Sequence, residues 1–147
     1  SPAQLEANTP LRERIEALRL AVGPRMNLGD VAKKTVPKIC LVSPPRAGGT
    51  IATATFIPHR VHEAIGVLGA VSVATACAIP GSVAHKMAKR NPETKTRVDV
   101  EHPSGFFSVD VEVDIHGADI SVRRASLMRT ARKLMQGHVF VPGVAWT

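Results

Sequence analysis

Residues 56–83 read FIPHRVHEAIGVLGAVSVATACAIPGSV, and this stretch decides the fold. A β-type run ends at Pro58, a polar corner follows, and a helix apolar on nearly every side then runs from about His62 to Cys77. A helix that is hydrophobic all round is typical of the buried centre of a domain. Pro80 and Gly81 are expected to end it.

The first turn of this helix consists of residues too small to cover its backbone. Unbonded N–H groups at a helix start, together with the positive end of the helix dipole, bind anions without any charged side chain. We therefore predict that a substrate carboxylate binds just after Gly66, at four backbone amides: Val67, Leu68, Gly69 and Ala70.

The composition is that of one globular domain covering residues 1–147. The chain is 44% hydrophobic and 21% charged, which excludes a disordered chain. It contains no Tyr, one Trp and four Phe, so aliphatic side chains must fill the core. Frequent Val and Thr, with 11 Gly and 11 Pro, favour strands joined by short turns.

The net charge of +7 raises the question of a nucleic-acid partner. No aromatic side chains are interleaved with the basic clusters, as an RNA-binding sheet requires. A solvated basic surface, or a basic field that attracts a polyanionic substrate, is the preferred interpretation. A basic nucleic-acid-binding domain remains an alternative.

The longest apolar run, residues 64–79, is shorter than the roughly 20 residues that cross a membrane. The beginning of the chain is polar and charged, unlike a signal peptide. Cys40 and Cys77 lie in apolar runs and are interpreted as buried structural thiols. These features together predict a cytoplasmic protein without a membrane partner.

Before the central stretch, the pattern predicts one amphipathic helix and two strands. Thr9 would cap a helix that Gly23 ends. The following strands are expected at 38–43, buried on both faces, and at 50–57, joined in a hairpin.

After the central stretch, a short helix at 82–89 and a turn at Asn91-Pro92 lead into alternating segments. These predict an antiparallel meander with strands at 96–101, 106–113 and 119–125, followed by two more strands at 127–133 and 138–141. The predicted fold is α+β: a central hydrophobic helix wrapped by a curved, mainly antiparallel sheet.

Several ionisable side chains surround the predicted anion site. His59, His62 and Glu63 do not have the spacing of a zinc helix, and we expect no metal. His59, Arg60 and His62 are interpreted as a polar wall beside the site. Lys38 is the one ionisable residue expected to enter it on a strand. No complete acid/base pair is evident, so the chain is interpreted as half of an active site.

Several segments resemble the family of 2-methylaconitate cis-trans isomerases and 4-oxalomesaconate tautomerases, most closely the tautomerases. The resemblance spans nearly the whole chain. It is carried by 56–62 and 64–76, and by MNLGDV at 26–31, VPKI at 36–39, GGTI at 48–51, EHPSG at 101–105 and RTARKLMQG at 129–137.

The resemblance implies the diaminopimelate epimerase fold, in which two similar halves enclose an active site. This chain resembles the second, C-terminal half, and the lysine and cysteine that move the proton would belong to the first. Gly66 stands where the parent epimerases carry a second catalytic cysteine. Ala54 stands where relatives often carry an arginine that faces the substrate.

The function implied by the resemblance is a 1,3-allylic proton shift in an unsaturated di- or tricarboxylic acid, without cofactors. This half would bind the substrate carboxylate, and its partners would be the small-molecule substrate and the N-terminal half of the same protein. A homodimer is left open. The alternative from another class is a non-catalytic module that binds a polycarboxylate.

Overall fold

The computed structural model describes residues 1–89, 96–117 and 119–141. Two helices open the chain, α1 (Pro2–Ala7) and α2 (Thr9–Val22). Asn8 caps α2, because its side chain accepts a hydrogen bond from the Leu11 amide. The predicted cap at Thr9 is therefore wrong by one residue, whereas the predicted end of the helix at Gly23 is confirmed.

A five-stranded sheet follows, with its strands ordered along the chain from one edge to the other. Every neighbouring pair is antiparallel except β2 and β3, which are parallel. Helix α3 lies between these two in sequence and provides the long connection that a parallel pair requires. The strands are β1 (Ile39–Ser43), β2 (Ile51–Phe56), β3 (Arg97–His102), β4 (Gly105–His116) and β5 (Asp119–Leu127).

The main core lies between the sheet and two helices, α3 (Val67–Ala78) and α4 (Val83–Met87). Helix α3 contacts β3, β4 and β5, and its buried side chains pack against valines of β3 and β4. The predicted α+β fold, a central helix inside a curved and mainly antiparallel sheet, is confirmed.

Helix α3 is less enclosed than its sequence predicts. One face is fully buried, but Leu68 is 81% exposed and Ser72 is exposed on the other side. The helix also begins at Val67 rather than near His62. The delay has a local cause, because the His62 ring accepts a hydrogen bond from the Ala64 amide and holds this segment in a turn.

A second, smaller core lies where β1 and β2 meet the first two helices. It is centred on Ile15, Phe56 and Val61. Strand β1 touches both cores, through Cys40 and Val42 on one side and through its other apolar residues on the opposite side. Each of its residues is only half-buried, because β1 is the edge of the sheet.

Arg19 joins α2 to the loop that leads to β1. Its guanidinium is buried and donates to the carbonyl oxygens of Val31 (2.9 Å), Lys34 (3.1 Å) and Val36 (2.6 Å). It also binds both carboxylate oxygens of Glu16 at 2.8 Å. The hydrogen bonding between these two side chains raises the pKa of Arg19 and lowers the pKa of Glu16.

Two of the predicted elements are absent. Residues 128–141 form no strand and are exposed, so the strands predicted at 127–133 and 138–141 are wrong. Within the described residues, the outer edge of β5 is left unpaired. The turn predicted at Asn91-Pro92 lies outside the described residues. No helix in the described ranges is long and apolar enough to cross a membrane.

Candidate functional site

The start of α3 is an uncapped helix end that faces open space. Gly66 occupies the cap position in an extended conformation, and no side chain bonds to the amides that follow it. A Cβ atom built at Gly66 would meet nothing within 4 Å. The next two residues, Val67 and Leu68, are exposed. This end of the helix is therefore exposed and uncapped.

Three amides, rather than four, are available for a ligand. The Ala70 amide donates to the Gly66 carbonyl oxygen at 2.9 Å, which is the first hydrogen bond of the helix. Ala70 is also fully buried in the main core. Its inclusion in the predicted anion site is therefore wrong, and the site reduces to the amides of Val67, Leu68 and Gly69.

Gly69 packs closely against the segment that precedes the helix. A Cβ atom there would come 3.3 Å from Cγ1 of Ile65, a side chain that is itself 5% exposed. A larger residue would push the helix start away from the preceding segment. The 12-residue helix behind it is long enough to direct a dipole at a ligand.

The polar corner between β2 and α3 holds two of the predicted wall residues. The Ile57 amide donates to the Arg60 carbonyl oxygen at 2.8 Å, which closes a tight turn. His59 and Arg60 are exposed at its tip. The third predicted wall residue, His62, differs, because its Nδ1 atom accepts from the Ala64 amide at 2.9 Å. That ring nitrogen is occupied in shaping the backbone.

Lys38 lies at the same end of the sheet as this corner. It precedes β1 by one residue, and Ile39 pairs with Phe56, the last residue of β2. The Lys38 side chain is exposed. The prediction that it enters on a buried strand is therefore wrong, although the strand register brings it beside the turn that leads to α3.

No metal centre is evident in the part of the chain that the structure describes. Groups of three or more His, Cys, Asp or Glu side chains that could hold an ion are absent there. The spacing of His59, His62 and Glu63 is thus not completed by a ligand from another described element.

A cavity of about 720 Å³ lies beneath α1, on the face of β1 and β2 that points away from the main core. Ala54 lines it, together with Leu5 of α1 and Leu41 of β1. The residues at the start of α3 do not take part in its lining. The candidate anion site is therefore an open surface of this chain rather than part of this cavity.

Glu101 is a buried carboxylate beside this cavity that the sequence did not single out. Its oxygens accept from the backbone amides of Arg46, Ala47 and Gly49, each at 2.8 Å. Burial alone would raise the pKa of Glu101, but these three bonds and the Arg46 charge outweigh it and leave the pKa below its ordinary value.

This carboxylate explains the Gly48-Gly49 sequence. Gly48 has a φ of +91°, which favours glycine, and a Cβ atom at Gly49 would lie 2.6 Å from Cγ of Glu101. The loop amides are directed at a side chain of the same protein. The interpretation of this motif as a turn, and not a phosphate loop, is supported.

The two cysteines form no disulfide and have different environments. Cys77 is fully buried in the main core, whereas Cys40 is half-buried on the edge strand. Burial raises the pKa of Cys40, which the hydrogen bond from Thr55 only partly offsets. A raised pKa disfavours the nucleophilic thiolate, which supports a structural role for Cys40.

The family follows from a comparison with known proteins. A family model described as PrpF protein matches residues 2–142. The chain belongs to the PrpF protein family. Its relatives include the 4-oxalomesaconate tautomerase of Pseudomonas putida, which is 52% identical over 142 residues, 97% of this chain. A (4E)-oxalomesaconate Delta-isomerase of a Novosphingobium species is 56% identical over 137 residues, 93% of this chain.

This PrpF chain spans only part of its relatives' length. The matched region is 38% of each of the two proteins just named. Among solved structures, a methylitaconate-delta-isomerase shares the fold over 100% of this chain and 43% of its own, with a TM-score of 0.77 and 20% sequence identity.

Proposed function

We propose that this chain is the second half of a cofactor-independent isomerase, in which it binds a carboxylate group of the substrate. The substrate class is an unsaturated di- or tricarboxylic acid such as 4-oxalomesaconate. Two lines of support combine. Two relatives more than half identical to the chain are named for oxalomesaconate isomerisation. The amides at the start of α3 have no capping side chain, and a Cβ atom at Gly66 would meet nothing within 4 Å. This observation supports the binding role.

The proposed reaction is an allylic proton shift. A base removes a proton from a carbon next to a carbonyl or carboxylate group, and the electron pair left behind delocalises as an enolate-like charge. An acid then returns a proton two carbons away while the double bond moves. Backbone donors fixed before the reaction stabilise such charge without reorganising. The amides of Val67, Leu68 and Gly69 would serve this purpose in the longer protein.

The exposed basic side chains near the corner would attract the substrate. Lys38, His59 and Arg60 are proposed to line the mouth of the site, with His62 behind them. The net charge of +7 favours the approach of a polyanion over a neutral molecule.

The pKa values of the described residues indicate which part of the protein holds the acid and the base. Proton-transfer residues have pKa values shifted towards neutrality by their environment. Among the described residues, the groups with a shifted pKa are Glu16, Arg19, Cys40 and Glu101, and each is shifted away from neutrality. We therefore place the acid and base of the proposed reaction in the rest of the protein.

The test uses two substitutions of Gly66 in the longer protein that contains this chain. In Gly66→Asp, the new carboxylate accepts from the free amides and caps α3, which competes with the substrate. In Gly66→Ala, the added methyl meets nothing within 4 Å and leaves the amides free.

We expect Gly66→Asp to raise KM for 4-oxalomesaconate at least about tenfold, which corresponds to the loss of one charge-assisted contact. The thermal midpoint should be unchanged or higher, because the helix gains a cap. Gly66→Ala should stay within about threefold of wild type. Equal KM values for Gly66→Asp and wild type would refute the binding role.

A second candidate function is a polycarboxylate-binding module without catalysis. The observation that favours it is Gly66 itself, since glycine supplies no acid or base at the start of α3. Calorimetric titration with a tricarboxylate, run beside an isomerisation assay on the same protein, separates the two functions. Binding without turnover by the longer protein would favour the module.

A further inference from the structure

The direction of α3 depends on the segment before it, which has no regular secondary structure. We call residues 61–66 the lead-in segment. Val61 closes a single bridge with Phe56, and from there to Gly66 the chain is neither helix nor strand. Such a segment lacks the repeating backbone bonds that fix a direction. One backbone bond reaches it, from the His62 amide to the Thr55 carbonyl oxygen at 2.8 Å, and the rest of its geometry comes from other contacts.

Side chains supply the first of these contacts. Oε1 of Glu6, in α1, accepts from the Val61 amide at 2.7 Å. Further along, Nδ1 of His62 accepts from the Ala64 amide at 2.9 Å. An Nδ1 atom that accepts is unprotonated, so the ring proton of a neutral His62 lies on Nε2.

Another contact comes from the turn between β3 and β4. The Ser104 hydroxyl donates to the Glu63 carbonyl oxygen at 2.6 Å. The same hydroxyl also lies 3.2 Å from Nδ1 of His102. Ser104 and Glu63 are 41 residues apart, so this bond joins two distant parts of the chain.

Buried side chains in the lead-in segment pack against the first turn of α3 and so fix the direction of the helix. Val61 and Ile65 are 6% and 5% exposed, and Ile65 packs against Gly69 in the first turn of α3. Glu6 bonds to the first of these anchors, Val61, and Ser104 bonds to Glu63 between the two. A shift of the segment would change the direction in which the unbonded amides of α3 point.

We propose that Glu6 and Ser104 are positioning residues for the carboxylate site at the start of α3. They touch neither the substrate nor the reacting atoms, and they act through the lead-in segment. The proposal rests on the proposed function, since it concerns the same amides. Through these two residues, α1 and the β3–β4 turn would influence the affinity for the substrate.

The test compares variants that remove each hydrogen bond with variants that keep it. Glu6→Ala and Ser104→Ala delete the acceptor and the donor. Glu6→Gln retains Oε1 as an acceptor, and Ser104→Thr retains the hydroxyl. Ser108→Ala is the matched control, because it deletes a serine hydroxyl that bonds to Asp99 on the same strand pair. All variants are made in the longer protein.

We expect each alanine variant to raise KM for 4-oxalomesaconate about fivefold with little change in kcat, the factor that corresponds to one hydrogen bond of average strength. The inhibition constant of a saturated tricarboxylate should rise by the same factor. Glu6→Gln and Ser104→Thr should recover most of the affinity, and Ser108→Ala should keep the wild-type KM.

Unchanged KM values in both alanine variants of an active enzyme would overturn the proposal. So would a loss of kcat and of thermal midpoint at constant KM, which is the signature of a merely structural role. If the wild-type protein binds the tricarboxylate but does not isomerise, the proposed function fails, and the same variants decide the positioning role through the dissociation constant. If it binds nothing, both proposals fall.

Discussion

At the scale of single residues, Glu101 connects the loop at 46–49 to the middle of the sheet. It is 6% exposed and accepts three backbone hydrogen bonds. Gln at this position would supply one acceptor oxygen and an NH2 group that opposes the loop amides. Glu101→Gln should therefore lower the free energy of unfolding by about 2–3 kcal/mol, measured by urea denaturation.

The matched control is Glu112→Gln. Glu112 pairs with Arg124 at 2.8 Å on the surface, where both side chains are more than a third exposed. Its replacement should cost at most about 1 kcal/mol. If the two variants lose equal stability, the loop contacts of Glu101 contribute less than their geometry indicates.

The pH dependence of stability follows from the direction of the Glu101 shift. The pKa of this carboxyl is lower in the folded protein than in the unfolded chain, so the unfolded chain takes up the proton first. The contribution of Glu101 is fully present well above the ordinary glutamate pKa of about 4.3 and is lost as pH falls through the lower folded value. Urea midpoints at pH 7 and pH 3 should differ less for Glu101→Gln than for wild type. Equal differences would contradict this assignment.

At the scale of elements, α3 places small residues against the sheet. Its buried face consists of Ala70, Val73, Ala74, Cys77 and Ala78. Alanines allow the helix and the strands to approach closely, and the space between them leaves no room for added carbons. The close approach of α3 to the sheet therefore depends on these positions.

Ala74, which is fully buried, tests this packing. Ala74→Leu should lower the free energy of unfolding by about 1–3 kcal/mol through overpacking, measured by denaturant titration. On the exposed face of the same helix, Ser72→Leu should change it by no more than about 0.5 kcal/mol. The opposite order of the two effects would mean that the outer face of α3 is the more tightly packed one.

The boundaries of elements were predicted less well than their types. The alternation and turn signals of the meander were sufficient to identify β3, β4 and β5. The start of α3 was placed five residues too early, at His62 instead of Val67, because apolar periodicity continues through the lead-in segment. A histidine that bonds to its own backbone gives no periodic signal.

At the scale of the whole molecule, the chain leaves several large apolar side chains uncovered in one segment. Between 128 and 141, Leu134, Met135, Val139 and Phe140 are each at least 85% exposed. Large apolar side chains in a contiguous exposed stretch mark an interaction site. This agrees with a chain that spans 38% of its relatives' length.

We expect trypsin to cleave this chain by itself rapidly after Arg132 or Lys133, which are exposed in this segment. In the longer protein the same bonds should be cut at least about tenfold more slowly, since covered backbone is a poor protease substrate. Mass spectrometry of timed digests measures both rates. Equal rates would show that the rest of the protein does not cover this segment.

The uncapped start of α3 could be predicted because its signal is local, with glycine at 66 and 69. The structure leaves three of the four predicted amides without a hydrogen-bond partner, and carboxylate binding there stays a prediction. Glu101 and Ser104 were missed because their partners lie 52–55 and 41 residues away. Contacts at such separations leave no pattern in one sequence.

The single parallel pairing in the sheet has a consequence for how the chain folds. Strands β2 and β3 share only two paired positions, Ile51 with Val100 and Ala52 with Glu101. The β1–β2 hairpin and the β3–β5 meander are each assembled from neighbours in sequence, whose loops close at little entropic cost. The parallel seam joins strands that α3 and α4 separate in sequence, so its loop costs more entropy to close. It should therefore form last and set the folding rate, so the helix start proposed as the ligand site lies in the connection that folding completes latest.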